Sequence, residues 1–202
     1  MPPATVPRAE ILDRLLSVFR RYGYEGASLS RISDGTGLGR SSLYHHFPGG
    51  KDDMASAILA HTEAASRDHI VGPLLAPGTP RERVERLAAG LDAFYAQGTA
   101  SCLVELFGIG EAGDRFGETL HARVSALIRL LADVAVQSGL QSEDAAIRAE
   151  DAIVAVQGAL VVSRVLGSTR PFRRVLDRLP ELLLGAGPIE AAPVRNTGSL
   201  LG

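Results

Sequence analysis

Leu38-Gly39-Arg40-Ser41-Ser42-Leu43-Tyr44-His45-His46-Phe47 decides how this chain is read. Leu43 and Phe47 are four residues apart and share one helical face, with Leu38 ahead of them to pin the entry. Arg40 with Tyr44, and Ser41 with His45, recur along the opposite side. One side suits a core. The other offers a guanidinium, hydroxyls and imidazoles, which is the chemistry a short helix needs to read base edges in a DNA major groove.

The flanking sequence supplies the rest of a helix-turn-helix. Ser28 stands where an N-cap oxygen meets the first free amides of a helix carrying Leu29 and Ile32. Gly35 and Gly37 are read as the stop of that helix and the tight turn into the next. Further upstream Ile11, Leu15, Leu16, Phe19 and Tyr22 recur at helical spacing and end at Gly23. Pro48-Gly49-Gly50 breaks the chain, and Lys51 opens a longer helix through Met54, Ile58 and Leu59. Gly49-Gly50-Lys51 is not the end of a phosphate loop: His45 stands where that motif needs a glycine, and no strand precedes it. Nor do His45 and His46 make a zinc site, because adjacent helical residues do not face one point.

Phe19, Gly23, Ser28, Leu29, Ile32, Gly37, Leu38, Leu43, Tyr44, Phe47, Lys51 and Met54, in this order and spacing, resemble the signature of the TetR-type transcriptional repressors. The Tyr44–Lys51 segment is similar to their LmrA/YxaF-like multidrug-regulator branch. Three positions depart from the pattern: the Phe47-to-Lys51 connection is one residue longer, Gly39 replaces a capping serine, and Ser33 replaces a small apolar residue. With the residue chemistry, the resemblance assigns Arg40 and Ser41 to base edges. Ser28, Ser42, Tyr44, His46 and Lys51 go to phosphates, and His45 to the boundary between the two roles.

At 202 residues the chain exceeds what a three-helix module needs. Its net charge of −2 hides an asymmetry. Residues 1–51 carry seven Lys/Arg against four Asp/Glu, while residues 52–202 carry fourteen against nineteen. The positive field belongs to the helix-turn-helix; the remainder would be repelled by phosphate. Cys102 is alone, which excludes an intrachain disulfide and points to a reducing, cytoplasmic setting. The segment Met1–Pro7 has no apolar core of a signal peptide, and the run from Ala152 to Ser163 is too short for a bilayer span. No membrane partner is expected.

Downstream, the spacing predicts helices at about 51–72, 80–97, 101–109, 114–138, 143–167 and 171–184. Thr79 before Pro80 and Glu82 reads as a helix start, as does Ser142 before Glu143 and Asp144. In the helix at 143–167 the run from Ala152 to Val162 is apolar around its whole circumference. Its small-residue stripe, Ala155, Gly158, Ala159 and Val162, together with Phe172, Leu176 and Leu179, is assigned to a homodimer seam. A helix-turn-helix reads two half-sites through two-fold symmetry, and the resemblance implies a four-helix bundle at that seam. His61, Phe94, Tyr95, Phe107, Phe116, His121 and Gln157, with His69 nearby, are interleaved among apolar residues and are assigned to a cavity for a small hydrophobic or aromatic ligand.

The fold class is therefore all-α: a three-helix helix-turn-helix DNA-binding module at residues 1–50, a larger helical ligand-binding and dimerisation domain at 51–185, and a flexible tail at 186–202. Enzymatic catalysis is excluded on motif grounds. Glu118-Thr119-Leu120-His121 is one copy of a half-site that di-iron carboxylate proteins need twice, and no hydrolase elbow or zinc-protease motif occurs. No metal or other cofactor is expected. An architectural DNA-binding module would spread basic residues over far more surface. The expected function is a transcriptional repressor released from its operator by a small hydrophobic ligand.

Overall fold

The computed structural model describes residues 6–185. The expected tail at 186–202 lies outside the described residues, as do the first five. Among the described residues all regular structure is helical, and no helix is long and apolar enough to cross a membrane.

The first three helices follow the sequence pattern closely. In α1, Arg8–Gly26, the residues Ile11, Leu15, Leu16 and Phe19 are buried. The backbone leaves helical geometry at Gly23, whose φ of 70° and ψ of 175° suit a residue without Cβ. One further turn then carries Tyr24 into the core, 2% exposed. Ser28 caps α2, Leu29–Thr36, by accepting from the Arg31 amide, and Gly37 ends it in the left-handed conformation. Gly35 is no stop. It lies inside α2, where a Cβ would meet Val18 Cγ2 at 2.3 Å, so its role is the close packing of α2 on α1. Ser33 also has a definite task, donating to the Leu38 carbonyl at 2.6 Å across the turn. The helix α3, Arg40–His46, starts at Gly39 with no side-chain cap. Leu43 and Phe47 anchor it, buried at 0% and 1% exposure.

The body departs from the expected boundaries in four places. The helix expected at 51–72 is α4, Lys51–Ser66, a π turn at Arg67–Val71, and the short α5, Gly72–Leu75. Pro73 has no N–H to give the His69 carbonyl, so the i→i+4 ladder cannot pass this point unchanged. That carbonyl faces Gly90 of α6, Pro80–Phe94, where a Cβ would lie 1.8 Å away. Thr79 and Glu82 form the expected start of α6 as a complete capping box. After a short 3₁₀ turn at Ala96–Gly98 come α7, Leu103–Phe107, and α8, Gly110–Gln137, which runs through Gly113 instead of starting after it. The next helix, α9, is Ser142–Val165; Ser142 is its first residue, and Gln141 precedes it without a side-chain bond. Finally, the helix expected at 171–184 is two: α10, Arg170–Asp177, and α11, Leu179–Leu184. Pro180 cannot donate to the Leu176 carbonyl, which breaks the ladder at Arg178.

Two buried clusters hold these elements. The first joins α1–α3 to the first half of α4 and extends into the body through Leu106, Phe107, Ala112, Phe116 and Leu120. The second lies among the π turn, α5, α6 and α8–α11. Tyr24 is the hub of the first. Its ring lies 6.1 Å from Phe19, 6.2 Å from Phe107 and 5.9 Å from Phe116, and its hydroxyl donates to Asp52, which Arg115 also holds. Burial, and then the bond to Asp52, pushes the Tyr24 phenol up to about 12.

Candidate nucleic-acid interface and internal cavity

On α3 the helical period separates the side chains as the sequence implies. Arg40, Ser41, Tyr44 and His45 are exposed, Ser42 and His46 are half-buried, and Leu43 points inward. Because Gly39 provides no capping oxygen, the first amides of α3 face outward beside Arg40 and Ser41. The N-termini of α2 and α4 flank this helix. Ser28, Tyr44, Gly49 and Lys51 share one concave surface between them. Such a surface presents amides, hydroxyls and a cation, the donors that phosphate oxygens accept. Lys51 is held in place there: its Nζ donates to the Tyr24 carbonyl at 3.0 Å and lies 4.3 Å over the Tyr24 ring.

Two cations absent from the sequence-based site stand beside this face. Arg8 stacks on the Phe47 ring at 5.0 Å, and Arg31 donates to the Gly26 carbonyl at 2.7 Å while covering Tyr22 at 4.5 Å. Both are exposed. Their signal in the sequence was only the basic excess of residues 1–51, which does not say which arginines share a face.

The body holds a partly open cavity of about 350 Å³ between α4, the π turn, α6, α7, α8 and α9. Phe94, Tyr95 and Gln157 lie on its wall, as the sequence assigned them, together with Ile70, Cys102 and Arg123. A smaller recess of about 50 Å³ continues inward past Leu91, Val156 and Leu179 and shares Tyr95 and Gln157 with it. Tyr95 is buried and its hydroxyl donates to Cys102 Sγ at 3.5 Å. Burial, with Cys102 beside it, pushes that phenol well above its ordinary range.

Four of the seven residues assigned to the cavity are elsewhere. Phe107 and Phe116 face the head and pack on Tyr24, because their helices turn those faces toward α1. His61 points away from the cavity and meets Asp13 of α1 at 2.8 Å. His121 is exposed on α8, and His69, on the π turn, is exposed as well. Leu103, Val104, Leu127 and Leu130, which no polar pattern marked, form much of the lining instead.

The apolar surface of α9 is rotated from the assigned stripe. Ile147, Val154, Val161 and Val165 are exposed, at 53%, 68%, 40% and 80%, and with Gly158 they follow the alternating three-and-four spacing of a helix-pairing seam. Val162 is exposed beside them. Ala155 is half-buried, whereas Ala159, Phe172, Leu176 and Leu179 are buried in the protomer's own core. The inward face of α10 and α11 is already covered by α9 and α6, so these residues present no surface.

A helix-turn-helix head on a larger helical body with a partly open apolar cavity defines the class of a DNA-binding transcriptional regulator. The comparisons agree with this architecture. Residues 11–58 match the model of the bacterial regulatory proteins of the tetR family, and residues 80–178 match the C-terminal domain of LmrA/YxaF-like transcriptional regulators. The chain belongs to the TetR family of DNA-binding transcriptional regulators. It is 24% identical over 186 residues to the HTH-type transcriptional regulator LmrA of Bacillus subtilis (strain 168), covering 87% of this chain and 96% of the relative. The HTH-type transcriptional repressor AcnR of Corynebacterium glutamicum is 39% identical over 67 residues, 33% of this chain and 35% of that protein. Among solved structures, a TetR-family regulator from Legionella pneumophila superposes with a TM-score of 0.73 at 18% identity, over 91% of this chain and 100% of that one. A cysteine-substituted form of the TetR-family regulator CifR, complexed with 26-bp double-strand operator DNA, superposes with a TM-score of 0.69 at 24% identity, over 90% and 98%.

Proposed function

We propose that this chain is a cytoplasmic homodimeric repressor that a small hydrophobic ligand releases from operator DNA. The observation that carries the reading is the path of α4 and its π turn. Lys51 opens α4 in the concave surface beside α3, and Thr62, Glu63, Ser66, Ile70 and Val71 lie on the cavity wall at the other end. A ligand that shifts the far end therefore shifts the head. In a dimer the two copies of α3 must stay near one helical turn apart, about 34–36 Å, or a multiple of it, to read both half-sites. Release follows if the ligand favours a head spacing that DNA does not accept, and by linkage the operator lowers ligand affinity by the same factor.

Within the head, Arg40 and Ser41 read base edges. Ser28, Ser42, Tyr44, His46 and Lys51 hold phosphates, and His45 stands between the roles. The exposed valines of α9 pair with their counterparts in a second copy. The division at residue 50 is one of tasks: residues 1–50 read DNA and 51–185 sense and dimerise, while the head's core continues into α4 and α7. The test is to select operator DNA from a random pool, then screen apolar compounds for operator release and for thermal stabilisation together. Compounds that raise the melting temperature and release DNA support the reading. Stabilisation with unchanged operator affinity overturns the release mechanism.

A further inference from the structure

The charges around the cavity define its ligand more closely than its volume does. Arg123 of α8 and Glu63 of α4 are the charged residues on the wall. They pair at 2.8 Å, and Arg123 also donates to the Leu59 carbonyl at 3.1 Å. Arg20 of α1 stands behind the wall, close enough for its charge to act on Tyr95 and Cys102. Its Nε is buried without a hydrogen-bond partner. A guanidinium partly withdrawn from water with an unpaired donor is unfavourable, and an acceptor or anion placed nearby relieves it. The cavity thus has two arginines, Arg123 on its wall and Arg20 behind it, against the single carboxylate of Glu63.

The two members of the Arg123–Glu63 pair are not equally replaceable. The Glu63 side chain is 50% exposed and can turn into water, as exposed carboxylates do at little cost. Arg123 is 34% exposed and has its second bond to the Leu59 carbonyl. An anion entering the cavity displaces Glu63 and leaves Arg123 where it is. A cation would have to evict Arg123 and forfeit that bond.

We infer that the cavity takes an anionic amphipath, an apolar or aromatic body bearing one carboxylate or acidic phenolate, whose charge takes the place of Glu63 on Arg123. This rests on the proposed ligand-responsive reading and adds to it the charge of the ligand. Glu63 and Leu59 belong to α4 and Arg123 to α8, so the exchange removes the ionic one of Arg123's two ties to the helix that reaches the DNA face and leaves the bond to the Leu59 carbonyl. The ligand's charge then acts on the head as well as its bulk.

A matched series sharing one ring system, naphthylacetic acid, naphthylacetamide and naphthylethylamine, separates charge from bulk. The chain has no tryptophan, so naphthyl fluorescence excited beyond the tyrosine absorption band can be read without tryptophan background. The acid is expected to bind at least about tenfold more tightly than the amide, with the amine weakest. Arg123→Gln removes most of that preference and Arg20→Gln part of it, whereas Glu63→Gln tightens acid binding by removing the competitor. Glu63→Gln alters only a half-exposed carboxylate, so it decides the question even where an arginine variant fails to fold.

An amide that binds as well as the acid overturns the anionic assignment and leaves the cavity a ligand site. Acid binding that ignores both Arg123→Gln and Glu63→Gln overturns it too, since the anion then sits elsewhere. Saturable binding by none of the three up to millimolar concentration overturns the assignment together with the cavity's role as a ligand site.

Discussion

At the scale of single residues, Tyr24 and Arg40 show the two ways a side chain serves this head. Tyr24 is buried, yet its carbonyl holds Lys51, its hydroxyl holds Asp52 and its ring fills the aromatic cluster. The fold keeps its phenol protonated, raised from an ordinary 10 to about 12. The folded state thus binds this proton more tightly than the unfolded chain. The associated stability is complete below the ordinary value and is lost as pH rises from 10 to about 12. Urea denaturation across that window should show stability falling, and Tyr24→Phe should make the fall shallower. Arg40 is the opposite case, exposed at the start of α3 with no cap beside it. Arg40→Ala is expected to cost about 1–3 kcal/mol on the operator and to relax its sequence preference, while Lys51→Ala weakens operator and random DNA alike. Equal loss on both DNAs for Arg40→Ala would make it a phosphate contact only.

At the scale of elements, glycines divide into those that end helices and those that let helices touch, and sequence does not separate them. Gly23 kinks α1 one turn before its end and Gly37 ends α2, because their backbones need φ of 70° and 73°. Gly35 and Gly90 sit inside helices and serve contacts with Val18 and with the His69 carbonyl. Gly90→Ala should force α6 off the π turn and destabilise the fold by about 1–3 kcal/mol, as overpacking does. A melting temperature equal to that of the unmodified protein would show that the π turn yields freely. The helix starts were legible where the cap is local, as at Ser28 and Thr79, since a few adjacent residues make the bonds. The π turn and the break at Arg178 both follow from prolines that withhold a donor four residues back. Hydrophobic spacing alone runs straight through such points.

At the scale of the whole molecule, the seam of α9 offers a clean test of assembly. Nothing lies within 4 Å of a Cβ at Gly158, so a longer side chain fits the isolated protomer. Gly158→Arg is therefore expected to fold with an unchanged helical spectrum but to sediment as a monomer, because pairing would bury an unpartnered charge. Operator binding should fall with it, since a single head reads one half-site. A dimer that persists in this variant would place the interface on another surface.

The sequence by itself determined the all-helical class, the helix-turn-helix, the exposed face of α3 on Arg40, Ser41, Tyr44 and His45, and the basic head on an acidic body. These depend on spacing, capping and charge, which are local or summed properties of the chain. Only the tertiary structure decided which residues line the cavity and which face of α9 is free. Phe94 and Phe116 are the same residue type on helices of similar pattern, yet one faces the cavity and the other the head. On residues 152–162 of α9, apolar all round, no contrast between sides marks the buried face. Which side of such a helix meets water is fixed by the neighbours packed against the other sides, and these are brought there by chain segments far away in sequence.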